Sequence, residues 1–308
     1  MTYHLPVMVQ EVVEGLVADP NGTYMDATAG GGGHSLALLK QLGAKGRLIS
    51  VDRDGEAVEA TRERLAADER AVVWQGNFAE LGVVLAREEI GSLSGVLFDL
   101  GVSSHQIDEA ERGFSYQEDG PLDMRMDAGA GQTAAELIAT RSEAELAGLI
   151  VQYGEERQAR RIARSIHRRL SLGPLETTQA LREAIAVTAP QILNKTLARV
   201  FQALRIAVND ELGQLTMGLD VGEASLKPGG RLAVIAYHSL EDRLVKQRFA
   251  VLERGCICPP RLPVCICGRK PSFKKVGPKL RRASEEELRV NRRARSAILR
   301  IYEKIGGD

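Results

Sequence analysis

Residues 26–35 read DATAGGGGHS. A short β-type run at 23–28 leads into them and a helical pattern leaves from Ser35, so the glycines sit where a strand hands over to a helix. Glycine at such a turn tolerates positive φ and lets a ligand approach the backbone, while the N–H groups of the following helix point at whatever is bound. Outward from the turn, further strands are expected at 47–52, 71–75 and 95–100, with helices starting near Ser35, Glu56 and Phe78. Short β runs alternating with helical patterns mean a parallel sheet with crossover helices. The fold class is therefore α/β, a Rossmann-like sheet with helices on both faces.

The rhythm stops near Ser104. A polar loop, RGFSYQEDGPLDMRMD (112–127), and several segments rich in Ala, Glu and Arg follow to Pro190. Three parts are expected: a first part of the core at 1–104, an inserted helical domain at 105–190, and a second part of the core at 191–308. That last part reads as a long helix at 197–226, a KPGG turn, an apolar strand at 231–237, a helix at 240–253 and a final strand at 296–302.

Asp52 ends the second strand about twenty residues past the turn, where a carboxylate can accept both ribose hydroxyls of a nucleotide. Together with the turn it points to an adenosine-containing cofactor. A dinucleotide fingerprint would place a third glycine at 35, where this chain has Ser35. S-adenosylmethionine has no pyrophosphate to approach, and a carboxylate before the turn, Asp26, suits its cationic end. Methyl transfer is favoured over hydride transfer; a nicotinamide-dependent oxidoreductase is the competing enzyme reading.

DLGVSS (99–104) follows the fourth strand, and open α/β sheets bind ligands outside the carboxyl ends of their strands. Asp99 there can accept from a substrate amine or from the cofactor; its ordinary alternative is to cap a strand end. The [DNS]-P-P-[YF] signature of many amino-methyltransferases is not present at this position.

Lys plus Arg equals Asp plus Glu at 41 each, so net charge alone draws the chain to neither nucleic acid nor membrane. With no signal-like start and no long apolar run, a cytoplasmic protein is expected. All four cysteines fall in CICPPRLPVCIC (256–267), which is no disulfide framework. Four thiolates can ligate one zinc, and reduced unliganded thiols are the equal alternative; no metal is assigned to the active site.

Taken together, the motifs resemble the RsmH (MraW) family end to end. They are HLPVM at His4, DATAGGGGHS, DRD at Asp52, DLGVSS, RGFSYQEDGPLDMRMD, YGEERQARRIA (153–163), FQALRIAVNDEL (201–212), GGRLAVIAYHSLEDR (229–243) and RRARSAILR (292–300). The resemblance implies an S-adenosylmethionine-dependent class I methyltransferase acting on N4 of a cytosine in the decoding region of 16S rRNA, the partner expected being that rRNA within the small ribosomal subunit, with naked rRNA as the open alternative. It carries cofactor contacts onto Gly32, Gly33, His34, Asp52, Phe78, Asp99 and Gln106. Phe78 would lie against the adenine ring. It also implies that the inserted helical domain helps hold RNA. A homodimer is left open.

For RNA, arginines at 157, 160, 161, 164 and 168 recur at helical spacing, either as a phosphate-binding stripe or as a solvated face paired with Glu155 and Glu156. RKPSFKKVGPKLRR (269–282) has no acidic residue and reads as a phosphate-binding loop. A cytosine must be splayed out to react, and candidates to line its pocket are His238, Ser239 and Glu241, with Asp123 and Arg125. Asp99 and His238 are the candidate catalytic residues. The chain is also open to a non-catalytic reading, as an RNA-binding assembly factor.

Overall fold

The computed structural model describes residues 6–188, 190–259 and 264–306. His4 and Leu5 of HLPVM, and residues 260–263 of the cysteine segment, lie outside them. The chain divides into two compact units, Met1–Gly101 with Gln214–Asp308, and Val102–Gly213.

The first unit is built on seven strands: β1 (Thr23–Asp26), β2 (Arg47–Asp52), β3 (Ala71–Gln75), β4 (Leu93–Asp99), β5 (Leu226–Ala236), β6 (Phe273–Lys275) and β7 (Ile298–Lys304). Their order is β3-β2-β1-β4-β5-β7-β6. β1 to β5 run parallel, and β7 runs antiparallel to both its neighbours. This is the α/β, Rossmann-like sheet that the strand-helix rhythm indicates.

β4 (LSGVLFD) shows why the centre is parallel: it is buried along nearly its whole length, as a strand covered on both faces must be. Successive residues feed opposite faces. Val96, Phe98, Leu232 and Val234 join one apolar cluster, and Leu97, Ala233 and Ile235 join the other. Chain order reverses between β1 and β4, so a crevice opens at their carboxyl ends, where Asp26 and Asp99 stand.

Two segments differ from expectation. β6 is only three residues long and carries two lysines, too little apolar pattern to read as a strand; pairing with β7 makes it one. The helix expected over 197–226 is two helices, Leu193–Asn209 and Glu211–Ser225, because Asp210 takes the left-handed conformation at φ +46°. The helical unit accordingly runs on to Gly213 rather than ending at 190.

That unit has its own apolar core, with Leu137, Ile150, Ile162, Ile166, Leu181 and Leu204 buried. Thr133 and Ser142 open successive helices with capping boxes closed by Glu136 and Glu145. Asn209 ties the long loop down: its amide donates to Met124 O over 2.8 Å and accepts from Met126 N–H over 2.8 Å. The FQALRIAVNDEL and PLDMRMD motifs are thus one buried hydrogen-bonded joint. Among the described residues no helix is long and apolar enough to cross a membrane.

Candidate functional site

β1 ends in a turn whose underside is a buried polar chain. Asp26 is fully buried; its Oδ2 accepts from the Ser35 hydroxyl over 2.7 Å and its Oδ1 from Thr28 N–H over 3.1 Å. Ser50 of β2 in turn donates to Ser35 Oγ over 2.8 Å. Burial pushes the Asp26 carboxyl above its ordinary range, although His34, Ser35 and Thr28 pull the other way. Ser35 is therefore a support for Asp26, a physical reason for serine where a dinucleotide turn has glycine.

The glycines divide by cause. Gly32 caps the helix Gly33–Gln41 at φ +74°, a conformation suited to glycine. A Cβ on Gly33 would fall 2.8 Å from Pro6 Cγ, so here the constraint is close packing under the HLPVM stretch. Gly30, at φ +52°, has open space where its Cβ would be.

Three further groups surround the turn. Asp52, ending β2, accepts Gly30 N–H on Oδ2 over 2.7 Å and Asp54 N–H on Oδ1 over 2.9 Å. Burial raises it to about 6 despite those bonds. Each oxygen keeps a lone pair for another donor. Phe78 follows β3 on a short 3-10 turn; its ring stands edge-on to Phe98 at 5.7 Å and it stays half-buried. Its Cβ lies 2.6 Å from where a Gly218 Cβ would be, so Gly218 makes room for it.

Asp99, ending β4, is held at its backbone N–H and at one carboxylate oxygen. Its N–H donates to Thr28 Oγ1 over 2.6 Å, its Oδ1 accepts from the Tyr237 hydroxyl over 2.8 Å, and its Oδ2 stands 3.3 Å from His34 Nε2. That last approach is not aligned as a hydrogen bond, and neither ring nitrogen of the buried His34 has a hydrogen-bond partner. Burial alone would push the imidazole down, but Asp99, Asp26 and Glu287 outweigh it and leave it above its ordinary value. The same carboxylate, with burial the larger cause, lifts the Tyr237 phenol well above 10 and keeps it neutral.

Tyr237 owes its place at the site to strand register, the one sign of it in the sequence. β5 pairs in register with β4, Asp99 opposite Ile235, and Tyr237 lies two residues further on the same face. Its neighbour His238 has another job: it caps the helix Ser239–Arg254, accepting Glu241 N–H on Nδ1, while the buried Glu241 carboxylate accepts Tyr237 N–H over 2.9 Å. His238 and Glu241 thus fix the strand-to-helix corner that presents Tyr237.

Gly32, Gly33, His34, Asp52, Phe78 and Asp99 all belong to the sheet unit. Gln106 belongs to the helical unit, where its side chain accepts Ser103 N–H over 3.0 Å and closes the cap of its own short helix. Asp123 and Arg125, also in that unit, form a two-pronged ion pair at 2.8 and 2.7 Å. Burial raises the Asp123 carboxyl, but the Arg125 bonds outweigh it and hold it below its ordinary range.

A family model described as the MraW methylase family matches residues 1–305. The chain belongs to the MraW methylase family. Ribosomal RNA small subunit methyltransferase H of Heliobacterium modesticaldum is 49% identical to it over 309 residues, covering 98% of this chain and 99% of the relative. Proteins of the same name from Symbiobacterium thermophilum and Trichlorobacter lovleyi are 49% and 47% identical, covering 98% and 99% of this chain and 97% and 99% of their own lengths. In this MraW-family chain the buried Asp26–Ser35–Ser50 chain and the Asp99–Tyr237 pair meet at the same end of the sheet.

In the helical unit, the arginine stripe is one face of the helix Ala159–Leu170. Ala159, Ile162, Ala163 and Ile166 are buried on the other face. Arg160, Arg161, Arg164 and Arg168 are exposed, as is Arg157 just ahead of the helix. Glu156 does not neutralise them: it turns inward and pairs with Arg199 at 3.1 Å. Arg164 pairs with Glu143 at 3.4 Å, and among the described residues Arg157, Arg160 and Arg168 have no carboxylate partner. In the sheet unit, Lys274 and Lys275 of the C-terminal basic run pair with Glu303 and Glu253, whereas Arg269, Lys270, Lys279 and Arg282 are exposed without such partners.

Proposed function

We propose that this chain transfers a methyl group from S-adenosylmethionine to the N4 amine of a cytosine in the decoding region of 16S rRNA. Membership of a methylase family, and relatives named for the small-subunit rRNA, support the reaction class and the RNA. The observation that carries the site is Asp99, a carboxylate at the carboxyl end of β4 whose Oδ1 is held by the Tyr237 hydroxyl and whose Oδ2 stands 3.3 Å from His34 Nε2.

The residues present fit the methyl donor. Gly30 is open above its backbone, Asp52 keeps acceptor capacity for two hydroxyls, and the buried His34 has a ring nitrogen, Nδ1, still to be satisfied. Gly32, Gly33, His34, Asp52, Phe78 and Asp99 would hold it, Phe78 offering an aromatic face to a purine. When bound, S-adenosylmethionine supplies an electrophilic methyl carbon on a positively charged sulfur.

The protein's own part is alignment. A cytosine amine is weakly nucleophilic because its lone pair is shared with the ring, so an acceptor that holds its N–H turns the nitrogen toward the methyl carbon. Asp99 is assigned that role: its carboxylate offsets the positive charge that grows on the amine nitrogen and accepts the proton that nitrogen gives up as the N–C bond forms and the methyl carbon parts from its sulfur. Tyr237 orients Asp99, and His238 with Glu241 fixes the corner that carries Tyr237. The unpaired arginines of the helical unit and the free basic residues of 269–282 supply phosphate contacts.

Small ribosomal subunits from cells lacking the protein, incubated with it and methyl-labelled donor, should gain label that nucleoside mass spectrometry finds on a cytosine amine. Label on a ring carbon or on another base would overturn the assignment of N4.

A further inference from the structure

Beyond the reaction site, the four cysteines of the segment following the helix Ser239–Arg254 converge. Their sulfurs are 3.5 Å apart for Cys256 and Cys265, 3.9 Å for Cys258 and Cys265, 3.5 Å for Cys265 and Cys267, and 3.7 Å for Cys256 and Cys267. All four lie within 4.8 Å of one another. A disulfide brings two sulfurs to about 2.05 Å, and no pair approaches that. A tetrahedron of sulfurs about 2.3 Å from a central zinc has edges of about 3.8 Å, which is the spacing found. Multi-iron clusters need their thiolates further apart than a single ion does.

Burial does not explain the convergence. Ile257, Val264 and Ile266, apolar residues between and beside the cysteines, are 48%, 72% and 81% exposed, so these described side chains form no core around the thiols. Its two ends are nevertheless pinned. Gly255 leaves the helix at φ +68°, where a Cβ would come 2.3 Å from the Lys270 carbonyl carbon. Ser272 N–H donates to Leu252 O over 3.0 Å, and Phe273 packs edge-on against Phe249 at 5.4 Å. Between those ends the described side chains that meet one another are the thiols.

We propose that Cys256, Cys258, Cys265 and Cys267 bind one zinc ion as a structural tetrathiolate site. Zinc suits four sulfur ligands in tetrahedral array, and four thiolates around a divalent ion leave two negative charges. Cationic groups stand by: Arg254 Nε donates to Cys256 O over 2.8 Å, and Arg269 and Lys270 follow the last cysteine after Gly268. The ion would hold the two cysteine pairs together and so fix the point from which the basic run 269–282 departs.

The test is independent of methyl transfer. Protein purified with reductant and without chelator is expected to carry about one zinc per chain by inductively coupled plasma mass spectrometry, and the double variant Cys256→Ser, Cys265→Ser less than about a tenth of that. Because zinc can be stripped during purification, cobalt(II) is added to the reduced metal-free wild-type protein; sulfur-to-cobalt charge transfer and the visible bands of a tetrahedral site are expected. Wild-type protein with less than about a tenth of an equivalent of zinc and no such cobalt spectrum would overturn the site. So would zinc content unchanged in the double variant, or stoichiometric iron in place of zinc.

Discussion

Tyr237 donates its phenolic proton to Oδ1 of Asp99 over 2.8 Å, and through that bond β5 sets the direction of the carboxylate that ends β4. The Asp99–Asp52 contrast is informative, because Asp52 is held by backbone N–H groups alone. Replacing Tyr237 by Phe keeps the ring against Gly101 and removes only the donor. Misorientation of a reacting pair by a fraction of an ångström to an ångström lowers rates by up to about 100-fold, so Tyr237→Phe should reduce kcat by roughly 10- to 100-fold. Affinity for S-adenosylhomocysteine, measured by calorimetry, should stay within about threefold, since hydrogen bonds it makes elsewhere are untouched. An equal loss in affinity and in kcat would make Tyr237 a cofactor contact instead of a positioning residue.

Asp52 supplies a pH signature. Its folded pKa, about 6, lies above the ordinary carboxylate value of 3.8, so the folded protein holds that proton more tightly than the unfolded chain. The stability this group contributes is complete below the unfolded value and is lost as pH rises through the folded one. A ligand that donates hydroxyls to the carboxylate must displace the proton. Affinity for S-adenosylhomocysteine should therefore weaken toward about tenfold per unit below about pH 6 and level off above it. In Asp52→Asn the affinity should be lower by about 10- to 100-fold and flat across that range. Wild-type affinity that does not change on acidification would remove Asp52 from the site.

How much of this was legible in the sequence follows from which interactions are local. The first four strands and Asp26, Asp52 and Asp99 at three strand ends are visible because strand and turn signals sit within a few residues of one another. The division of a helix at Asp210 is not: the left-handed Asp210 follows directly on Asn209, whose side chain is bound to Met124 and Met126, more than eighty residues away in sequence. β6 is likewise made by its partner strand. At the site, His238 is conspicuous in sequence by its chemistry, whereas the role of Tyr237 depends on strand register. Ser35 looked like a lost glycine until its hydroxyl was found on Asp26.

The arginine face of the helix Ala159–Leu170 gives a prediction about RNA that leaves the donor site alone. Arg160 and Arg168 are exposed and have no carboxylate partner among the described residues, whereas Arg164 is already engaged with Glu143. Each phosphate contact removed lowers the slope of log affinity against log salt by about 1. The double variant Arg160→Ala, Arg168→Ala should bind small-subunit rRNA more weakly, with a slope smaller by about 2 in filter-binding titrations. Affinity for S-adenosylhomocysteine should not move. Arg164→Ala, losing a group already neutralised, should have a smaller effect; equal effects at all three positions would mean a diffuse charge contribution in place of discrete contacts.

Asp242 and Arg300 show that the YHSLEDR and RRARSAILR motifs also serve stability. Arg300 lies in β7, only 6% exposed, and grips Asp242 of the helix Ser239–Arg254 at 2.7 and 3.0 Å while its third nitrogen donates to Lys279 O over 2.7 Å. Burial pulls the guanidinium down, but the Asp242 bonds outweigh it, so the cation persists. Removing one partner of such a pair strands the other charge, which costs about 3–5 kcal/mol, whereas exchanging both for apolar residues of similar volume can be neutral. Asp242→Ala should lower stability by that amount in urea denaturation, and Asp242→Leu with Arg300→Met should recover most of the loss. Asp242 is the residue after Glu241 and lies one helical turn past His238, so the single variant should also lose activity through the corner that carries Tyr237, and the double variant should regain it. Recovery of stability without recovery of activity would show that the ion pair itself, and not merely a rigid corner, is needed to hold Tyr237 on Asp99.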